Sequence, residues 1–136
     1  MCMFFDVFKK SLMPEFTGKE ISQIYLDKEY NNGDGGIVIE FSEDNKKIIL
    51  FDDKRMCCES RYVHCDDSLD YYDGSIFKGI QIKRLEKFKD DLDCDHEIQF
   101  VHIITNVGTV VAETHNIHGG CYGGFDLKID LLGGKN

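Results

Sequence analysis

From Phe125 to Leu131 apolar and polar residues alternate without a break. Phe125, Leu127, Ile129 and Leu131 fall on one side, and Asp126, Lys128 and Asp130 on the other. A period of two is the mark of a strand with one face in a core and the other in water. The same period recurs upstream. Ile37, Ile39 and Phe41 alternate with Val38, Glu40 and Ser42, while Ile98, Phe100, His102 and Ile104 share one face of a run over Glu97–Thr105. A helical period shows only at the start, where Phe4, Phe5, Val7, Phe8 and Leu12 predict a short amphipathic helix over residues 1–13, ended by Pro14.

Between these anchors the chain reads as short strands joined by turns. Lys19–Lys28 is expected to be a first strand with Ile21, Ile24 and Tyr25 as its buried pattern. Asn31–Gly36 is rich in residues that accept positive φ and makes a turn. Glu43–Lys46 reverses the chain, so residues 37–42 and the more fully buried 47–51 form a hairpin. Arg55–Cys65 has strand-like composition. Ser68–Gly74 suits one helical turn, with Ser68 as N-cap and Gly74 closing it. Ile76–Phe88 is a long strand with Ile80 and Ile82 inward and Gln81 and Lys83 outward. Its apolar register slips at Leu85, which predicts a bulge near Arg84. Thr109–His115 follows the turn at Asn106–Gly108, and residues 132–136 form a frayed tail.

The expected fold is therefore mainly β (α+β): an antiparallel meander of six or seven strands, curled into a sandwich or partial barrel, with one or two short helices. A chain of 136 residues with one proline suits a single domain, with its β-rich core over residues 19–131.

Charge narrows the partners. A formal net charge of −9 disfavours duplex nucleic acid, which needs clustered Lys and Arg to displace counterions. It leaves open a small anionic ligand held in a locally positive pocket, and an acidic surface that engages a basic protein. The N-terminal residues lack the basic and apolar regions of a signal peptide, and no window reaches the roughly 20 apolar residues of a membrane span. The expected location is the cytoplasm, with the six cysteines reduced. Adjacent Cys57 and Cys58 would point to opposite faces of a strand.

Chemistry-bearing residues concentrate in Thr114–Phe125. This segment places His115, Asn116, His118, Cys121 and Tyr122 among Gly119, Gly120, Gly123 and Gly124. Glycines there open backbone amides to an anion. Tyr62, Tyr71 or Tyr122 would stack on a base, and Arg61, Lys83 or Arg84 would meet a phosphate. His115, His118 and Cys121 are also candidate zinc ligands, with His64, Cys65, Cys94 and His96 available to complete a set. The paired spacing of a structural zinc site is nevertheless missing. Asp90–His96 has the acidity of a calcium loop without its glycine or distal glutamate. His102 is expected to be a hydrogen-bonded core histidine. No nucleophile motif surrounds any cysteine, and no P-loop or dinucleotide fingerprint is present.

Cys57-Cys58-Glu59, an acidic stretch ending at Gly74, an Ile-rich strand and the late segment His115-Asn-Ile-His-Gly-Gly-Cys-Tyr-Gly123 occur in that order. Over roughly Gly18–Leu131 the chain resembles a small domain of unknown function found in phage and bacterial proteins. In that group a Cys-Cys-Glu motif follows a hairpin, and a His-Asn-x-His-Asn-Gly-Tyr-Tyr-Gly segment precedes the last strand. Here Gly119 replaces the second Asn and Cys121 the first Tyr. The resemblance implies a phage-type accessory protein and assigns no activity. The expectation is a non-enzymatic, homo-oligomeric counter-defence protein that sequesters a small anionic, nucleotide-like ligand. The alternatives are an acidic inhibitor of a host defence protein and a small zinc-stabilised module.

Overall fold

The structure, a computed structural model, describes residues 13–54, 60–118 and 124–133. The helix expected over residues 1–13 lies almost wholly outside them. What is described begins with one helical turn, α1 (Met13–Phe16), with Pro14 at its second position. A proline there removes no intrahelical bond, because the first N–H groups of a helix have no partner.

Eight strands follow: β1 (Ile21–Asp27), β2 (Gly36–Phe41), β3 (Lys46–Asp52), β4 (Ser60–Cys65), β5 (Phe77–Lys89), β6 (Asp95–Thr105), β7 (Gly108–His118) and β8 (Leu127–Gly133). They form two four-stranded antiparallel sheets, ordered β1-β2-β3-β8 and β4-β7-β6-β5. The protein is mainly β and has a sandwich architecture. The meander expected from the short turns holds within β1-β2-β3 and within β5-β6-β7. β8 then returns beside β3, and β4 lies beside β7.

The connections obey local chemistry. Asn31 and Asn32 at φ 57° and 60°, then Gly33 and Gly35, carry the β1–β2 turn through the left-handed region. A single 3-10 turn at Glu43–Asn45 joins β2 to β3. A second, Leu69–Tyr72, follows Ser68, whose hydroxyl donates to the Asp70 carboxylate and caps no backbone N–H. The register of β5 against β6 shifts between Ile82 and Arg84, which is the expected bulge. In the β5–β6 turn, Asp90 accepts from the Leu92 and Cys94 amides and meets His96. These bonds hold the Asp90 carboxyl below its usual range, the Cys94 amide contributing most.

The sheets pack crosswise. Near its start β1 exchanges main-chain bonds with the segment entering β5, through Gly18 to Phe77, Phe77 to Lys19 and Ile21 to Ser75. At its other end Leu26 and Lys28 lie beside Tyr62, Val63 and Cys65 of β4. β1 therefore spans one end of the second sheet from edge to edge. Between the sheets lies a core built from Phe16, Ile21, Ile24, Ile37, Ile39, Phe41, Ile48, Leu50, Phe77, Ile80, Val101, Ile103, Val110, Ala112 and Leu127. Phe41 stacks on Phe16 at 4.6 Å and meets Phe77 edge-on at 5.7 Å.

Three expectations about faces are corrected. Val38, expected to face water, is buried with Ile49 and Phe51 in a small second cluster on the outer face of the first sheet, packed against Tyr25, Tyr30 and Leu132. Leu131, expected inward, is 47% exposed near the end of edge strand β8. On β6 the set Ile98, Phe100, His102 and Ile104 does share a face, but it is the outer, half-buried one. Glu97, Gln99, Val101, Ile103 and Thr105 point into the sandwich. His102 is thus not a core histidine. Both alternate sets of β6 contain apolar residues, so a period of two fixes the alternation without fixing which set faces in.

Candidate functional site

Along the inward faces of β6 and β7 the chemistry changes from one end to the other. Val101 and Ile103 oppose Ala112 and Val110 in the core. Toward the other end the opposed pairs become Gln99 with Thr114 and Glu97 with Asn116, and His118 ends the row. All five of these polar residues are buried. β4 brings Arg61 opposite Asn116, and β3 ends in Asp52 directly across the interior. Both are also buried, which makes a polar corner where β3 and β8 meet the beginnings of β4 and β6 and the end of β7.

Two ionic groups organise this corner. Arg61 Nη1 donates to Asp52 Oδ2 at 2.5 Å and to the Gly124 carbonyl at 3.0 Å. Asp52 Oδ1 accepts from the amides of Lys54 and Asp126 at 3.1 and 2.9 Å. Burial pushes the Asp52 carboxyl upward, against the opposing pull of the Asp126 amide and Arg61. Glu97 Oε1 accepts from the Gly124 amide at 2.7 Å. Gly124 is therefore held at both its amide and its carbonyl, at φ 83°, where a side chain would be strained. Arg61 also lies 5.8 Å from the centre of the Phe125 ring.

On the outer face of the second sheet a different group assembles. Tyr62 and His115, opposed across β4 and β7, stack at 4.4 Å with an interplanar angle of 8°. His115 Nε2 lies 2.7 Å from Glu113 Oε1, and His64 Nε2 lies 2.7 Å from Asp66 Oδ1. Tyr62 is 40% exposed. Beside it runs a groove of about 420 Å³ between the β1–β2 turn and β4, lined by Leu26, Lys28, Gly33, Asp34, Gly35 and the run Tyr62–Cys65. Four consecutive strand residues cannot all present side chains to one side, so the edge of β4 itself forms a wall. The Cys65 thiol points to the Val111 carbonyl, and burial raises its pKa.

The residues marked in the sequence are thus divided. Arg61, Asn116, His118 and Gly124 meet in the buried corner, whereas Tyr62 and His115 meet on the outer face. Lys83 stands on edge strand β5, its ammonium on Gln81. Arg84 lies at the β5 bulge, and its side chain is outside the described residues, as are Gly119, Gly120, Cys121, Tyr122 and Gly123.

The proposed zinc set is corrected in part. β7 continues through His118 instead of ending at His115, so these two histidines lie on opposite faces of one strand and do not converge. Among the described residues, no three of His, Cys, Asp and Glu are placed to hold a metal ion.

Asp52, Glu97, Gln99 and Thr114 were not singled out in the sequence. A signal for them existed: the short turn at Asn106–Val107 pairs Thr105 with Gly108, and that register sets Glu97 and Gln99 opposite Asn116 and Thr114. No family model matches the sequence, and no curated protein or solved structure matches it.

Proposed function

We propose that this is a non-enzymatic binding protein that holds a small anionic, nucleotide-like ligand in the groove beside β4. The observation that carries this reading is Tyr62. One face of its ring is backed by His115, and the residue is open to solvent at the mouth of the groove. A ring fixed on one side gives a base a ready stacking surface, worth about 1–3 kcal/mol per base. Lys28 lines the same groove and supplies positive charge for a phosphate. The edge of β4 adds main-chain donors and acceptors for the rim of a heterocycle. In a phage-type accessory protein such a groove would serve to sequester a nucleotide signal without changing it.

Calorimetry with AMP, ATP and a dinucleotide tests the reading, with tyrosine emission as a second probe in a chain that has no tryptophan. The expected result is saturable binding that Tyr62→Ala weakens at least tenfold and Tyr62→Phe retains. The ligand should be recovered chemically unchanged after heat denaturation. Equal affinity in Tyr62→Ala, or no binding of any of the three, would overturn it.

A further inference from the structure

The buried corner holds more hydrogen-bond acceptors than its surroundings use. Gln99 and Thr114 are only 4% and 2% exposed, yet Gln99 Oε1 and Thr114 Oγ1 have no hydrogen-bond partner among the described residues. They face each other across β6 and β7, inside the sandwich. Glu97, two residues from Gln99 on the same face, commits Oε1 to the Gly124 amide. Its Oε2 is approached by Lys87 Nζ only to 3.6 Å and by His118 Nε2 only to 3.7 Å, and Lys87 is a largely exposed side chain. A buried oxygen without a donor is destabilising, so two neighbouring ones beside a buried carboxylate are not what core packing selects.

We propose that this corner is a second binding site, separate from the groove, for a small primary ammonium ligand. Three acceptors of different types on two paired strands, Glu97 Oε2 and Gln99 Oε1 on β6 and Thr114 Oγ1 on β7, match in number the three N–H donors of an R–NH3+ group. The charges match as well. Arg61 is paired with Asp52, whereas the Glu97 carboxylate has the Lys87 ammonium at the rim and the His118 ring at 3.7 Å, neither within hydrogen-bond distance. An incoming ammonium would give Glu97 an ion pair away from solvent, where such a pair is strong provided that it is hydrogen-bonded. A bare metal ion fits less well. Hard cations take six or more oxygens, more than these three acceptors supply. The adjoining Arg61–Asp52 pair and the Gly124 peptide frame the site without being consumed by it.

Thermal denaturation of the whole chain, in methylammonium chloride against equal concentrations of sodium, potassium and tetramethylammonium chloride, tests this directly. Tetramethylammonium has the charge but no N–H donor. The expected result is a rise in melting temperature of roughly 3 °C or more with methylammonium alone. Thr114→Val should abolish the rise while melting no lower than the parent, since it removes an unpartnered hydroxyl; Thr114→Ser should keep the rise. The Gln99 side-chain amide resonance should shift on titration in the parent and remain still in Thr114→Val. An equal response to potassium or tetramethylammonium, an undiminished response in Thr114→Val, or no response of either melting or resonance to methylammonium would each overturn the proposal. None of these outcomes touches Tyr62 or the groove.

Discussion

Two corners of the sandwich, diagonally placed, are built on opposite principles. Where β1 enters from α1 and meets the start of β5, the interior is Phe16, Ile21, Phe41 and Phe77, each no more than 1% exposed. Where β3 and β8 meet β4 and β7, the interior is Asp52, Arg61, Glu97, Gln99, Thr114, Asn116 and His118. The first gains from removing apolar area from water, at about 25 cal/mol per Å². The second must hydrogen-bond every charge it hides, and an ion pair there adds little net stability compared with an apolar replacement. The fold thus concentrates its stability in one corner and tolerates a costly arrangement in the other. Sites that bind or react tend to lie where local packing preferences are set aside.

Substitutions should separate the corners. The largest loss is expected at the apolar one: Phe77→Ala should cost about 3–5 kcal/mol by urea denaturation, through lost burial and the cavity left under Phe41. A loss under 1 kcal/mol would show that Phe77 is not central. Arg61→Met alone should cost about 3–5 kcal/mol, since Asp52 would stay buried without its partner. The double change Arg61→Met with Asp52→Leu should recover most of that loss. If the double variant is no better than the single one, the pair contributes more than mutual neutralisation.

Smaller effects sharpen the contrast. Gly124→Ala, at a φ of 83°, should cost about 1–2 kcal/mol and loosen the residue whose carbonyl Arg61 holds and whose amide Glu97 holds. A neutral result in thermal melts would mean that this backbone adapts.

The corner also carries a pH signature opposite to that of the exposed turn. Asp52 has its folded-state pKa raised, so the folded chain holds this proton more tightly than the unfolded one. Its contribution to stability is full below about pH 4, the unfolded value, and is lost as pH rises through the folded value. Asp90 has its pKa lowered, so its contribution is present above about pH 4 and is lost as pH falls through the lower folded value. Asp52→Asn should flatten the decline of stability with rising pH, and Asp90→Asn the decline with falling pH. Urea midpoints measured from pH 3 to pH 7 would check both signs, and the half-buried Asp90, in its surface turn, should give the smallest change of all.

The sequence by itself determined the alternation, the turns and the breaks. Phe125–Leu131 overlaps β8 from Leu127 to Leu131, the asparagines and glycines of residues 31–35 take the left-handed region as expected, and the slip at Leu85 marks a real bulge. These features are local: φ preferences and a period of two act over a few residues. It also marked Asn116 and His118 as parts of the glycine-rich segment, and Arg61 as a residue to meet a phosphate, without placing them together in the interior. Tertiary structure alone decided which side of each strand is inside. β6 carries Ile98, Phe100 and Ile104 on one set and Val101 and Ile103 on the other, and the inward set was chosen by the register with β7 and by the crosswise sheet above. That choice puts His118 in the interior with Glu97 and Gln99 and leaves His115 on the outer face against Tyr62. A one-residue change of register exchanges every inward side chain for an outward one, and only contacts across the interior distinguish the two.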